Sequence, residues 1–156
     1  MKNYDDEYAT CAATYATLRV YPGALDPDVV TRRLGLEPSD IQHAGEQGAS
    51  QRAHGRGATP PIRTAARPNG WFLSSERQVV SRDCRRHIDW LVDRVMGRRE
   101  ELLALRQGGA RMDVSCFWAS RGGHGGPSLL PQQMAALCAL DLEIWFDCYW
   151  WPAEQT

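Results

Sequence analysis

Lysine is almost missing from this chain: Lys2 is the only one, and the other seventeen basic residues are arginines. Base composition of a genome produces such a bias by itself, so it carries little functional weight. Paired cysteine spacings are missing too. The five cysteines, Cys11, Cys84, Cys116, Cys138 and Cys148, are odd in number and contain no CxxC, which removes the usual sequence basis for a zinc site or a disulfide framework. All but Cys11 lie inside periodic segments, where small buried thiols belong, and they read as reduced core residues. No stretch approaches about eighteen uninterrupted apolar residues, the length a spanning helix needs. The opening MKNYDDEYAT puts acids where a secretory leader would carry a basic start and an apolar run. Neither secretion nor membrane insertion is expected, and a cytoplasmic location is.

A basic excess is also lacking. The formal net charge is −1, whereas a dedicated nucleic-acid binder concentrates cations on one face to displace counterions from phosphates. Nucleic acid is therefore not expected as a partner. Charge is nonetheless uneven along the chain. Residues 43–70 hold four arginines against Glu46 alone, and residues 141–154 hold four acids and no base.

At 156 residues the chain fits one domain, large enough to bury a hydrophobic core without staples. Residues 11–21 alternate, with Thr14, Ala16, Leu18 and Val20 on one side and Tyr15, Thr17, Arg19 and Tyr21 on the other, the period of a strand. A helix over 27–34 follows, with Asp26 as its cap, Pro27 at the first helical position and Gly35 as its stop. Residues 39–69 show no apolar period and read as a long, mobile loop. A short strand over 70–75 places Trp71 and Leu73 on one face. The segment 81–96 carries Ile88, Leu91, Val92 and Val95 at helical spacing, and a second helical stretch over 98–106 carries Leu102, Leu103 and Leu105. A third strand over 111–119 alternates Met112, Val114, Cys116 and Trp118 with Asp113, Ser115 and Phe117. After a glycine-rich loop, Pro131 opens a helix with Met134, Leu137 and Cys138 on one face. The last strand, 142–151, sets Leu142, Ile144, Phe146, Cys148 and Trp150 against Glu143, Trp145, Asp147, Tyr149 and Trp151.

The order strand, loop, Leu25-Asp26-Pro27, helix, Leu34-Gly35-Leu36 returns as strand, loop, Leu129-Leu130-Pro131, helix, Leu140-Asp141-Leu142. Such recurrence indicates a duplicated unit. The expected fold is α+β, a ferredoxin-like two-layer sandwich made of two repeated β-α-β units, 11–75 (with the loop 39–69) and 111–151, joined by a helical connection over 81–107.

In order along the chain, YPGALDPDVVTRRLGLEP, GWFLSSE, HIDWLVDRV, SCFWAS and GGPSLLPQQMAALCALDLEIWFDCYW resemble the bacterial family called domain of unknown function 4279. The resemblance runs over about 14–150, with the arginine-rich loop as its poorest stretch. It implies the boundaries of one domain and offers no catalytic residue to carry over.

The chemistry that can be sought in the residues is sparse. His43, His54, His87 and His124 stand apart with no second ligand three or four positions away, so no metal and no cofactor are expected. His87, beside Asp89 and Trp90, reads as a surface or boundary residue or, less simply, as a catalytic one. Neither Ser74, Ser75 nor any cysteine sits in a nucleophile elbow, and Asp26 and Asp28 are explained by helix capping. The loop Arg121-Gly122-Gly123-His124-Gly125-Gly126-Pro127-Ser128 leads into a helix, where backbone amides can hold an anion. It lacks the GK[ST] ending of a phosphate loop. Arg121, Gly123, His124 and Ser128 are the candidates for an anion or small ligand, with turn chemistry as the plainer account.

With the apolar sides assigned to the helices, the opposite sheet face keeps Tyr15, Arg19, Tyr21, Asp113, Phe117, Trp145, Asp147, Tyr149 and Trp151. Six of these nine are aromatic. Rings in this number can stack bases, but Asp113, Glu143 and Asp147 repel phosphate, so a protein partner fits better. Tyr15, Arg19, Tyr21, Phe117, Trp145, Asp147, Tyr149 and Trp151 are the candidate contact residues. A homodimer and coverage by the long loop stay open as other occupants of the same face. The expected function is a non-enzymatic interaction module, one version of which is a bacterial immunity or inhibitor protein acting on a protein partner. The alternative is a small enzyme or ligand-binding domain that uses the glycine loop.

Overall fold

The computed structural model describes residues 3–45 and 66–150. It has five strands and four α-helices in the order β1 (Cys11–Tyr21), α1 (Asp28–Leu34), β2 (Asp40–Gln42), β3 (Gly70–Ser74), α2 (Cys84–Val95), a single 3-10 turn at Met96–Arg98, α3 (Arg99–Gln107), β4 (Arg111–Ser120), α4 (Pro131–Ala139) and β5 (Ile144–Trp150). The chain is α+β, and one mixed sheet runs β2-β3-β1-β4-β5. β1 pairs antiparallel with both β3 and β4, β2 antiparallel with β3, and β4 parallel with β5.

Alternation along the central strands decides which face is covered. Opposed pairs Leu18 with Val114, Val20 with Met112 and Val20 with Trp71 belong to one buried cluster. Val30 and Leu34 of α1, Ile88, Leu91, Val92 and Val95 of α2, Leu102 and Leu105 of α3, and Leu137 of α4 complete it. No residue of that cluster comes from the side of Tyr15, Arg19, Phe117 or Trp145. The helices therefore sit on one side of the sheet.

Local signals account for the helix ends. The Asp26 carboxylate accepts from the Asp28 amide at 2.8 Å, and Gly35, at φ 61°, closes α1 by donating to the Thr31 carbonyl. Asp83 caps α2, accepting from the amides of Arg85 at 3.0 Å and Asp5 at 2.8 Å and from the Arg85 guanidinium. Burial opposes ionisation of Asp83, yet these donors hold its carboxyl below the usual range. The acidic N-terminal segment is tied to the start of α2 by Arg82 with Glu7, Arg86 with Asp6, and the Tyr4 hydroxyl donating to Asp89 at 2.8 Å.

Five expectations need correction. Residues 70–75 were expected to close the first β-α-β unit, but β3 runs antiparallel to β1. The strand parallel to β1 is β2, inside the stretch expected to be loop. Three residues are too few to show an alternation, and β2 exists because Ile41 faces Trp71 across the ladder. The mobility expected of the long loop concerns chiefly residues 46–65, which lie outside the described residues. In α4 the expected face of Met134, Leu137 and Cys138 is rotated: Gln133 and Leu137 are buried while Met134 and Cys138 are exposed. Gln133 turns inward because its carboxamide accepts from the Leu130 amide and donates to the Arg85 carbonyl, at 2.8 and 2.9 Å. The fourth correction concerns the thiols: Cys11, Cys84 and Cys116 are buried, but Cys138 and Cys148 are exposed.

His87, read from sequence as a surface or boundary residue, is 1% exposed. Its Nε2 lies 3.0 Å from the Ser81 carbonyl and its Nδ1 2.8 Å from the Ser75 hydroxyl, which accepts from the Ala16 amide at 2.9 Å. A neutral imidazole satisfies all three groups: Nε2–H donates to Ser81, and Nδ1 accepts from Ser75. Burial pushes the His87 pKa down.

Two outcomes follow for stability. Because the folded protein resists protonating His87 while the unfolded chain takes its proton near 6.5, stability should be full above that pH and fall as pH drops below it. Asp83 adds a further loss only below about 3.8, its ordinary value. Melting temperature measured from pH 8 to pH 3 checks this, and His87→Gln should remove the first fall and leave the second. Ser75→Ala leaves the Ala16 amide without its acceptor and should cost about 1–3 kcal/mol in urea unfolding.

Candidate interaction face

The odd-numbered residues of β1 from Ala13 onward and of β4, together with Phe72 and the odd-numbered residues of β5, share the side of the sheet away from the helices. Cross-strand registry puts Tyr15 opposite Phe117, Arg19 opposite Asp113 and Tyr21 opposite Arg111, while β5 adds Trp145 beside Ser115 and Asp147 beside Phe117. Directly opposed side chains on one face lie close enough to touch.

Three contact groups result. Phe117 stacks on Tyr15, with centroids 4.8 Å apart and planes 14° from parallel, and meets Tyr149 at 5.3 Å on its other side. In the middle, Arg19 makes a bidentate pair with Asp113 at 2.7 and 2.9 Å, and its guanidinium carbon lies 4.7 Å from the Trp145 ring centroid. At the far end Tyr21 meets Phe72 edge-on at 5.8 Å, and Arg111 approaches the Tyr21 ring at 5.9 Å. Partial burial would weaken the charge on Arg19, but Asp113 more than offsets it and the guanidinium is held charged.

The rings do not sink into a core. Trp145 is 47% and Tyr149 51% exposed, and Tyr15, Tyr21, Phe72 and Phe117 are half-buried. Asp147 raises the Tyr149 hydroxyl pKa by its charge and by accepting that hydroxyl, and burial followed by the charges of Glu76 and Asp147 raises Tyr15. Two shallow concavities border the face. One, of about 810 Å³, lies among Arg19, Tyr21, Arg111, Asp113 and Glu143. The other, of about 1000 Å³, lies among Tyr15, Asp40, Phe72, Ser74 and Trp90.

Of the residues singled out from sequence, Tyr15, Arg19, Tyr21, Phe117, Trp145, Asp147 and Tyr149 are brought to one face, and Trp151 lies outside the described residues. Phe72 and Arg111 were missed. Their signal was present: Phe72 falls between the core residues Trp71 and Leu73, and Arg111 keeps the parity of Asp113.

The glycine loop serves packing. The Arg121 amide donates to the Thr10 carbonyl at 2.9 Å, the Ser120 hydroxyl to the His124 carbonyl at 2.8 Å, and the Cys84 thiol to the Ser128 carbonyl at 3.2 Å. Gly123 and Gly125 have φ of 72° and 85°, and the Thr10 side chain fills the space that a Cβ at Gly125 would need. Arg121, Gly123, His124 and Ser128 are all exposed. The start of α4, where an anion was considered, has its Leu130 amide bound by Gln133.

Among the described residues no group of three His, Cys, Asp or Glu side chains could hold a metal ion, and no helix is long and apolar enough to cross a membrane. Ser75 and His87 have the spacing of a nucleophile and base, but Ser75 is 0% exposed, so no substrate reaches its hydroxyl.

Comparison with known proteins adds a family and no chemistry. No curated protein and no solved structure matches this chain. A family model described as Domain of unknown function (DUF4279) matches residues 12–151, nearly the whole chain, and the protein belongs to that family.

Proposed function

We propose that this protein is a non-enzymatic interaction module that takes a protein partner on the open face of its sheet. The observation that carries the reading is the half-exposed aromatic array of Tyr15, Phe117, Tyr149 and Trp145 around the Arg19–Asp113 pair. Aromatic residues and arginine supply most of the energy in interfaces, because their rigid planes bury much area at small entropic cost. A carboxylate-bordered face also disfavours a phosphate backbone, since Asp113, Glu143 and Asp147 stand on or beside it. An immunity or inhibitor protein that neutralises another protein is one concrete form of such a module.

The strand order supports a finer reading of the architecture. β1-α1-β2 and β4-α4-β5 are both parallel crossovers, as a duplicated unit would be, and β1 to β4 follow the ferredoxin-like order with α4 and β5 appended. This accretion puts Tyr149 against Phe117 and Trp145 over Arg19, completing the array.

A photo-crosslinking residue in place of Trp145 or Tyr149 should trap one and the same partner in host cells, and the same residue in place of Val80, 96% exposed and outside the face, should not. Trp145→Ala and Tyr149→Ala should each weaken that association by about 2 kcal/mol, roughly thirtyfold, with little change in melting temperature. A partner trapped equally from position 80, or a sharp loss of melting temperature with association intact, overturns the reading. A homodimer trapped from positions 145 and 149 would replace the foreign partner by a second copy.

A further inference from the structure

We infer that the partner docks as an added strand along the outer edge of β5 and that the docking segment is extended and basic. This rests on the interaction reading above and specifies its geometry and chemistry. β5 is the last strand of the sheet and pairs with β4 alone, so among the described residues the hydrogen-bonding groups of its other edge have no strand partner. Exposed edges are normally blunted by charged side chains, proline, a bulge or short length. Of these β5 has one charge, Asp147: it is seven residues long, IWFDCYW, and its registry with β4 is unbroken from Ile144 to Trp150. The other edge strand, β2, has three residues.

Beyond Ile144, which packs against the core, β5 also leaves large side chains exposed on both faces. Trp145 and Tyr149 stand on the open face, while Phe146 at 38%, Trp150 at 69% and Cys148 are exposed on the helix side. The helix that should cover them, α4, packs against α2 instead. Along β5 and its approach lie Asp141, Glu143 and Asp147 without a base, and among the described residues only Asp141 of these three has an ion-pair partner, Arg106. Two copies joined through β5 would bring these acids together, so like-charge repulsion disfavours a second copy. A strand whose cations fall opposite Trp145, Asp147 and Tyr149 would meet a carboxylate and two ring faces, with small aliphatic residues between them facing Phe146 and Cys148. Arg19 already shows that the Trp145 ring accepts a guanidinium. Backbone pairing would supply affinity and the alternate side chains selectivity.

The probe is a nonapeptide alternating arginine and valine, titrated into isotopically labelled full-length protein. It should bind and shift the backbone amides of 144–150 more than those of β2. N-methylation of the valine amides keeps charge and side chains but removes the donors of one edge, and it should weaken binding by at least about tenfold. Glutamate in place of arginine should abolish binding, and Asp147→Lys, checked for an unchanged melting temperature, should weaken it by at least about fivefold. No binding at millimolar peptide, or equal binding of the glutamate peptide, overturns the inference. Equal binding of the N-methylated peptide moves the contact from the edge to the face and overturns only the strand addition, leaving the interaction reading intact. A dimer by sedimentation that Asp147→Lys disrupts would give the edge to a second copy and overturn it as well.

Discussion

β1 is paired along both edges, with β3 and β4, and its even-numbered side chains are taken up by α2 and the rest of the helical layer. A strand held in this way has one face left, and beyond the register shift at Cys11, which is buried, every odd-numbered side chain of β1 from Ala13 onward must appear there. Thr17, Arg19, Tyr15 and Tyr21 are compelled to that face by the burial of Ala16, Leu18 and Val20. Slipping the register by one residue would put Arg19 into the core and Leu18 into water, a change no local adjustment could offset. The composition of the open face is thus coupled to the formation of the core, and the two cannot vary independently.

The open face solves a problem of its own. An arginine and an aspartate at the centre of a sheet lose part of their hydration, and Arg19 and Asp113 recover it in a bidentate pair placed directly across the strands. That pair fixes the guanidinium under Trp145, and so orders the one large ring that β5 contributes beside it. Phe117 does the same for Tyr15 and Tyr149 by lying between them. The array is therefore ordered before any partner arrives, which reduces the entropy lost on binding. Across the sheet, the buried Ser75–His87–Ser81 chain ties the end of β3 to the start of α2 without offering a reactive group to solvent.

Much of this could be read from the sequence, and the parts that could not share a physical origin. Period two in residues 11–21 and 111–119, and the stripe Ile88, Leu91, Val92, Val95, report burial on one side of an element, and the structure places them accordingly. The placement of seven described candidates on the open face follows from the same parity. What parity cannot convey is which strand lies beside which, and in what direction. β3 was taken for the closing strand because it follows the loop and carries Trp71, whereas β2 shows itself only through its pairing. The facing of α4 depended on one capping side chain, Gln133, whose inward turn no apolar pattern records. The exposure along β5 depended in turn on where α4 came to rest. His87 was misplaced because a histidine's burial depends on two partners, Ser75 and Ser81, that its own neighbours in sequence do not reveal.

In a family defined without a function, the open face is the feature that bears on a role, and its availability depends on the sidedness of the sheet. Hydroxyl-radical footprinting of the free protein at a concentration where it is monomeric measures that sidedness ring by ring. The account requires rapid modification of Trp145 and Tyr149 and protection of Trp71 and Trp118, which are 0% and 3% exposed. Protection of Trp145 and Tyr149 in the monomer, to the level of Trp71, would mean that the rings are already covered and that the face is not available to a partner.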